Sequence, residues 1–143
     1  MNENKIKELL TKGEIRRREK NVPRAISLLQ AALDSATFAK SAQLTEQTAT
    51  GIFKEFYDAF RQIGDAKWWL LGYEAYSHRA SIELLKEANI VSRQQLQQLT
   101  RFMELRNDAS YRGYRIPIHE SQEIRKLWQK THKELIKWLG VNK

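Results

Sequence analysis

Apolar positions along most of this chain recur at intervals of three and four residues, the spacing that places side chains on one face of an α-helix. The pattern predicts an opening helix over residues 4–20 and a second helix from the Asn21-Val22-Pro23 break to about Ala39. A long third helix is expected over residues 45–71, ending at Gly72.

The helical pattern continues through the second half of the chain. Ser77 is placed to cap a short helix, and Ser92 to open the next through a capping box. Ser121 is expected to cap a final helix that Gly140 ends. The sequence therefore predicts an all-α, up-and-down helical bundle of four main helices plus a short helix over residues 22–143, preceded by a basic N-terminal helical extension over residues 1–21.

Composition narrows the class of protein. The chain has 143 residues, enough for one domain with a single core. It has no cysteine, which excludes disulfides and thiolate metal sites and makes a reducing cytoplasm the expected location. No apolar run approaches the roughly 18 residues of a membrane span, and the N-terminus lacks signal-peptide character, so no membrane association is expected. No Gly-rich phosphate loop or His-Glu-x-x-His cluster occurs, so neither a cofactor nor a metal is expected.

The formal charge of +8 is unevenly distributed. Residues 1–24 carry eight Lys/Arg against four acidic residues, and residues 101–143 carry ten against five, whereas the middle of the chain is nearly neutral. If the two ends lie together, they form an electropositive face suited to a polyanion or an acidic partner. The alternative is that these Lys and Arg side chains only cover solvent-exposed helix faces and bind no partner.

One arginine lies on an apolar helical stripe. Counting back from Arg106 at helical spacing reaches Met103, Leu99 and Leu96. A guanidinium cannot be neutralised, so an arginine on such a face needs a partner, a ligand or a wet cleft. In a purely structural role, Arg106 would pair with Asp58 or Asp65, and the Tyr111 hydroxyl would bond a backbone carbonyl.

Histidines and tryptophans give weaker signals. The histidines, at positions 78, 119 and 132, fall in different segments and are expected at the surface or at helix ends rather than in a catalytic cluster. Trp68 and Trp69 are adjacent, so on a helix their side chains diverge by about 100°. The spacing of the four tryptophans against other apolar residues favours core or dimer packing over base stacking. An exposed member of this pair would favour an oligomer interface.

Four short motifs occur in a defined order along the chain. They are Tyr57-Asp58-Ala59-Phe60-Arg61, Gly72-Tyr73, His78-Arg79-Ala80-Ser81-Ile82-Glu83 and Arg106-Asn107-x-Ala109-x-Tyr111-x-Gly113. This succession resembles the HEPN superfamily, small helical-bundle proteins of prokaryotic toxin–antitoxin and defence systems. The resemblance covers roughly residues 24–139 and leaves the N-terminal extension unexplained.

The resemblance implies a site. Many HEPN proteins are metal-independent ribonucleases with an arginine, a polar residue and a histidine four to six positions after the arginine, and two protomers pair with both motifs facing one cleft. Arg106 and Asn107 match the first two positions, but Tyr111 stands where the histidine is expected. A tyrosine pKa near 10 is poorly matched to proton transfer at neutral pH. The candidate catalytic residues are thus Arg106, Asn107 and Tyr111, and the candidate binding residues are Arg112, Arg115, Asp58 and His78.

The expected function follows from this departure. The leading hypothesis is a homodimeric binding or regulatory protein of a toxin–antitoxin or defence-type system that recognises RNA, a nucleotide or a partner protein. The partner would be a cognate antitoxin or a nucleotidyltransferase-type protein. The alternatives are a metal-independent endoribonuclease toxin and a structural dimeric interaction module.

Overall fold

The computed structural model describes residues 1–141 and confirms an all-α helical bundle. Its elements, in chain order, are α1 (Glu3–Thr11), β1 (Ile15–Arg17), α2 (Val22–Ser41), α3 (Ala49–Leu71), β2 (Tyr73–Ala75), α4 (His78–Lys86), a 3-10 segment (Arg93–Gln98), α5 (Leu99–Arg112) and α6 (Ile118–Leu139). Among residues 1–141, none of these helices has the combination of length and hydropathy that crossing a bilayer requires.

Helix α3 is the centre of the bundle, with α2, α4, α5 and α6 packed around it. Phe53 meets Phe102 of α5 edge-on, with ring centroids 5.6 Å apart. Phe60 meets Trp128 of α6 in the same way at 5.2 Å. These apolar contacts on several sides of one helix account for most of the core and so fix where α4 and α5 lie.

Several predicted helix ends are confirmed. The Asn21 side chain accepts a hydrogen bond from the backbone N–H of Arg24, and Ser77 accepts one from Ala80. Gly72 ends α3 with a φ of 91°, and Gly140 ends α6 with a φ of 81°. Glycine adopts this left-handed conformation without steric cost, which explains its place after each helix.

The prediction of one opening helix over residues 4–20 is wrong beyond Thr11. Gly13 adopts a positive φ of 70°, and the chain then forms β1, which pairs antiparallel with β2. The physical reason is burial: Ile15 is fully enclosed with Leu9 and Trp68 in a small second core, which a continuous helix would not allow.

Other predicted caps are corrected. The Ser92 hydroxyl donates to the Glu134 carboxylate at 3.0 Å instead of capping a helix, and the segment that follows it is a 3-10 turn. Ser121 lies inside α6, where its hydroxyl donates to the Ala49 carbonyl at 2.8 Å. In both cases a tertiary hydrogen bond takes the serine that the local pattern assigned to a cap.

The Trp68-Trp69 pair packs in the core, as the apolar spacing favours, and neither side chain is exposed. Trp68 is fully buried, and its indole N–H donates to the Ala80 carbonyl at 3.1 Å. Trp69 is 9% exposed and is covered by the Arg24 guanidinium, 4.9 Å from its ring centroid. These side chains therefore belong to the fold rather than to an open apolar patch.

Helices α3 and α4 approach most closely at Gly64. A Cβ at this position would lie 2.6 Å from the backbone carbonyl oxygen of Ser81 and 2.8 Å from its Cβ. Only glycine fits such an approach, and the contact brings the start of α4 against the polar face of α3.

We expect Gly64→Ala to destabilise the protein by about 1–3 kcal/mol, because α4 must move away from α3 and this overpacking outweighs the gain in helix propensity. Gly51→Ala is the matched control, since Gly51 lies on the same helix with nothing within 4 Å of its Cβ position. That variant should gain about 0.5–1 kcal/mol. Urea unfolding measures both, and a Gly64→Ala variant as stable as Gly51→Ala would contradict the close-approach argument.

Candidate functional site

A polar cluster lies where α4 and α5 meet one face of α3. Three charged residues of α3, Asp58, Arg61 and Asp65, are spaced by three and four residues and so share that face. The Arg61 Nη1 donates to the Asp65 Oδ2 at 2.7 Å, and Asp65 also accepts from the Ser81 hydroxyl of α4. The close approach at Gly64 is what allows this second contact.

Helix α5 brings Arg106 to the same face. Its Nη2 lies 3.9 Å from the Asp58 Oδ1, and its Nη1 donates to the Ser110 hydroxyl at 2.6 Å. The Arg61 Nε also lies 3.9 Å from the Asp58 Oδ1. Asp58 therefore lies between two guanidinium groups but beyond hydrogen-bond distance of either.

His78, the first residue of α4, completes the cluster. Its ring centroid lies 5.9 Å from that of Tyr57, and the Arg106 Cζ lies 5.9 Å from the same tyrosine ring. Burial lowers the pKa of His78 below its ordinary value, and the charges of Arg61 and Arg106 lower it further. The imidazole is thus held in its neutral form around pH 7.

Several polar atoms of the cluster have no hydrogen-bond partner among the described residues. They are the Tyr57 hydroxyl, the Asp58 Oδ1, the Arg61 Nε, the Gln62 Oε1 and the Arg106 Nε. An unsatisfied buried polar atom costs about 1–3 kcal/mol, and folded proteins rarely leave one. Such a concentration at one place favours a site whose hydrogen bonds are completed by something outside this chain's own side chains.

Water reaches the cluster although its atoms are largely buried. The side chains of Asp58, Arg61, Asp65 and Arg106 are 28%, 24%, 19% and 22% exposed. Burial raises the pKa of Asp65 despite its contacts with Ser81 and Arg61, and it raises the pKa of the Tyr57 hydroxyl. The cluster therefore holds two permanent cations, Arg61 and Arg106, beside two carboxylates, and the Asp58 Oδ1 has no hydrogen-bond donor among residues 1–141.

The predicted site residues do not all meet here. Arg106, Asp58 and His78 come together, and Asp58 is the carboxylate that pairs with Arg106. Asn107 and Tyr111 lie on the outer surface of α5, and Tyr111 is 84% exposed. Within residues 1–141 the Tyr111 hydroxyl makes no hydrogen bond to a backbone carbonyl, so that expectation is wrong.

The two arginines predicted for binding also lie apart from the cluster. The Arg112 side chain is 81% exposed, 4.0 Å from Asp108. The Arg115 Nη2 donates to the Glu46 carbonyl at 3.3 Å and lines an open groove of about 340 Å³ beside Pro117 and His119. The α5–α6 connection therefore carries its own basic surface.

Sequence reasoning missed Arg61, Tyr57, Ser81 and Ser110 as members of the site. The spacing of Asp58, Arg61 and Asp65 was a usable signal, because it places two acids and a base on one helical face. No local pattern could have revealed Ser81, since its role depends on the packing of α4 against Gly64.

In comparisons with known proteins, no family model, curated protein or solved structure matches the chain. Residues 1–141 contain no group of three or more His, Asp or Glu side chains arranged to hold a metal ion. Outside the cluster, His132 is half-buried inside α6 and stacks on Trp128, while His119 is exposed.

The environment of His78 gives a pH prediction. Its pKa in the folded protein lies below the ordinary 6.5, so in the window below 6.5 the unfolded chain binds a proton that the folded protein does not. His78 therefore contributes a loss of stability as pH falls through that window. We expect His78→Gln to lose less stability than the wild type between about pH 7.5 and 5.5.

Urea unfolding at the two pH values measures this difference, with His119→Gln as the matched control at an exposed histidine. The control should retain the wild-type pH dependence. A His78→Gln variant that loses as much stability as the wild type would show that the folded protein does not hold this imidazole neutral.

Proposed function

We propose that this protein is a HEPN-like RNA-binding regulatory component of a prokaryotic toxin–antitoxin or defence-type system, acting as a cytoplasmic homodimer. The observation that carries the proposal is the pair of guanidinium groups, from Arg61 on α3 and Arg106 on α5, that flank one carboxylate with their Nε atoms unbonded. An RNA phosphate is the proposed ligand of these groups.

The chemistry of the pair supports a phosphate. A guanidinium presents parallel N–H donors that match two oxygens of a phosphate, and such charge-assisted hydrogen bonds are stronger than neutral ones. The 3.9 Å contacts to Asp58 leave those donors unsatisfied. A phosphate entering beside Arg106 would gain hydrogen bonds that the carboxylate does not make.

The outer surface of α5 supports the homodimer. Asn107 is exposed, Tyr111 is 84% exposed and Tyr114 is 45% exposed, all within two turns of Arg106 or in the loop just after its helix. Exposed tyrosines are enriched at protein interfaces. In the proposed dimer, this face of each protomer borders the cluster of the other, so Asn107 and Tyr111 contribute to the site across the interface.

We expect Arg106→Ala to weaken binding of a short single-stranded RNA about tenfold or more, because each lost charge-assisted hydrogen bond is worth about 1.5–3 kcal/mol. Asp58→Asn should strengthen binding, since it removes the carboxylate that competes with the phosphate. Fluorescence anisotropy measures both, and circular dichroism verifies folding. Arg93→Ala, at an exposed arginine in the 3-10 segment, is the control and should bind like the wild type.

The proposal predicts opposite changes in RNA affinity for the two variants, weaker for Arg106→Ala and stronger for Asp58→Asn, and a purely structural role does not. If the cluster serves only packing, both variants lose stability and neither changes RNA affinity. That result would favour the structural interaction module over an RNA-binding protein.

A second candidate function, a metal-independent endoribonuclease, is favoured by His78. The neutral imidazole can accept the proton of an RNA 2′-hydroxyl, whose oxygen then attacks the adjacent phosphorus. The 5′-oxygen takes a proton from water as it leaves, giving a 2′,3′-cyclic phosphate and a free 5′-hydroxyl, and Arg106 would stabilise the charge on the phosphorane. In this scheme His78 takes the role that Tyr111, exposed on the outer face of α5, does not fill.

For the endoribonuclease candidate we expect cleavage of single-stranded RNA in the presence of EDTA by the wild type. Arg106→Ala and His78→Gln should each lose at least about 100-fold in rate, in line with the loss of a general base or a charge-stabilising donor. Arg93→Ala, at an exposed arginine outside the cluster, should cleave like the wild type. RNA that is bound but not cleaved by the wild-type protein would reject the enzyme and leave the binding proposal standing.

A further inference from the structure

The basic segment between α1 and α2 contains β1, which pairs with β2 in a two-stranded sheet where arginines of β1 lie against Tyr73 and Tyr76. In the antiparallel pair, Arg17 lies opposite Tyr73 and Arg16 opposite Glu74. The Arg17 Cζ is 5.8 Å from the centroid of the Tyr73 ring, and the Arg16 Cζ is 4.5 Å from that of Tyr76. Two arginines are thus stacked on aromatic rings at the surface.

These arginines differ from their neighbour in charge pairing. Arg18 is neutralised by Glu74, with its Nε 3.1 Å from the Oε1. Within residues 1–141, Arg16, Arg17 and Lys7 have no carboxylate oxygen within 4.0 Å. The surface therefore keeps free positive charge in a part of the chain that carries eight Lys/Arg against four acidic residues.

A groove of about 420 Å³ separates α1 from the β1–β2 sheet. Its apolar walls are Ile6, Leu10 and the ring of Tyr73, while Lys7 and Arg17 supply two cations and Glu3 one acidic side chain. This combination of an aromatic and aliphatic slot with cations beside it fits a nucleobase and the phosphates on either side of it.

The scaffold of this groove is firmly anchored. Glu14, just before β1, accepts two hydrogen bonds from the Arg79 guanidinium, at 3.0 and 2.7 Å, and one from the Ser77 hydroxyl. Arg79 holds the pKa of Glu14 below its ordinary value, and Ile15 is fully buried. Substituting the surface residues Lys7 and Arg17 is therefore expected to leave the β1–β2 sheet folded.

We propose that the groove between α1 and the β1–β2 sheet binds single-stranded RNA, with a base against Tyr73 and phosphates on Arg17 and Lys7. Two cations, Lys7 and Arg17, against the single acidic residue Glu3 favour a polyanion, and the aromatic wall favours an unpaired base over a carboxylate side chain, which has no ring to stack. The groove uses α1, β1 and β2, whereas the Arg61–Arg106 pair uses α3 and α5, so the two surfaces are tested separately.

The experiment is fluorescence anisotropy of a short labelled oligouridylate over a range of salt concentrations. We expect the double variant Lys7→Gln/Arg17→Gln to bind at least about tenfold more weakly than the wild type. Losing two phosphate contacts should also reduce the slope of log K against log salt by about 1.4, at roughly 0.7 per contact for single strands. The control, Lys126→Gln/Lys130→Gln on α6, removes the same charge from two exposed lysines and should change neither quantity.

Three outcomes would overturn the groove. Equal weakening in both double variants would mean that RNA responds only to net charge. Competition by poly-glutamate as strong as by unlabelled oligouridylate would identify an acidic protein partner instead. Equal competition by an RNA duplex would exclude a base in the slot.

Arg106→Ala in the same assay keeps the two proposals distinct. Weakening by Arg106→Ala with no effect of Lys7→Gln/Arg17→Gln would retain the proposed function and reject the groove. The reverse would retain the groove and reject RNA binding at the Arg61–Arg106 pair.

Discussion

The architecture depends on α3 having to bury most of its surface while carrying three charged side chains on one face. Phe53, Phe60 and the other apolar residues of this helix are covered by four neighbouring helices, which leaves few directions open to water. A buried charge is tolerated only when it is paired. The position of α4 and α5 is therefore set as much by the needs of Asp58, Arg61 and Asp65 as by apolar packing.

The pairing that results is unequal. Asp65 accepts hydrogen bonds from Arg61, at 2.7 Å, and from Ser81. The Asp58 Oδ1 accepts none, because both guanidinium groups lie 3.9 Å away from it. The close contact at Gly64 explains the difference, since it brings Ser81 onto Asp65 but leaves the α5 side, where Arg106 enters, more open. The two carboxylates on one face of α3 thus differ in how completely their oxygens are hydrogen-bonded.

Sequence periodicity predicted the bundle because apolar spacing and helix-end residues such as Ser77 and Gly72 act within one turn of chain. It failed where tertiary contacts decide. Ile15 forms a strand because Trp68 and Leu9 bury it, and Ser121 bonds Ala49 rather than capping a helix. The site follows the same rule. An arginine on an apolar stripe predicted a carboxylate partner for Arg106, either Asp58 or Asp65, and the structure places Asp58 there, whereas the neutral His78 beside Tyr57 depends on the placement of α4.

The polar atoms near Arg106 that lack a hydrogen-bond partner within the chain need a partner from solvent or from a ligand. The Tyr57 hydroxyl, the Asp58 Oδ1 and the Nε atoms of Arg61 and Arg106 have no hydrogen-bond partner among residues 1–141, and a buried polar atom left unbonded costs about 1–3 kcal/mol. The side chains of Asp58, Arg61 and Arg106 are partly exposed, so water can complete these hydrogen bonds in the free protein, and a better acceptor can replace that water when one is present. A phosphate is such an acceptor for the two arginines, and its gain over water is largest where the competing carboxylate already makes no hydrogen bond.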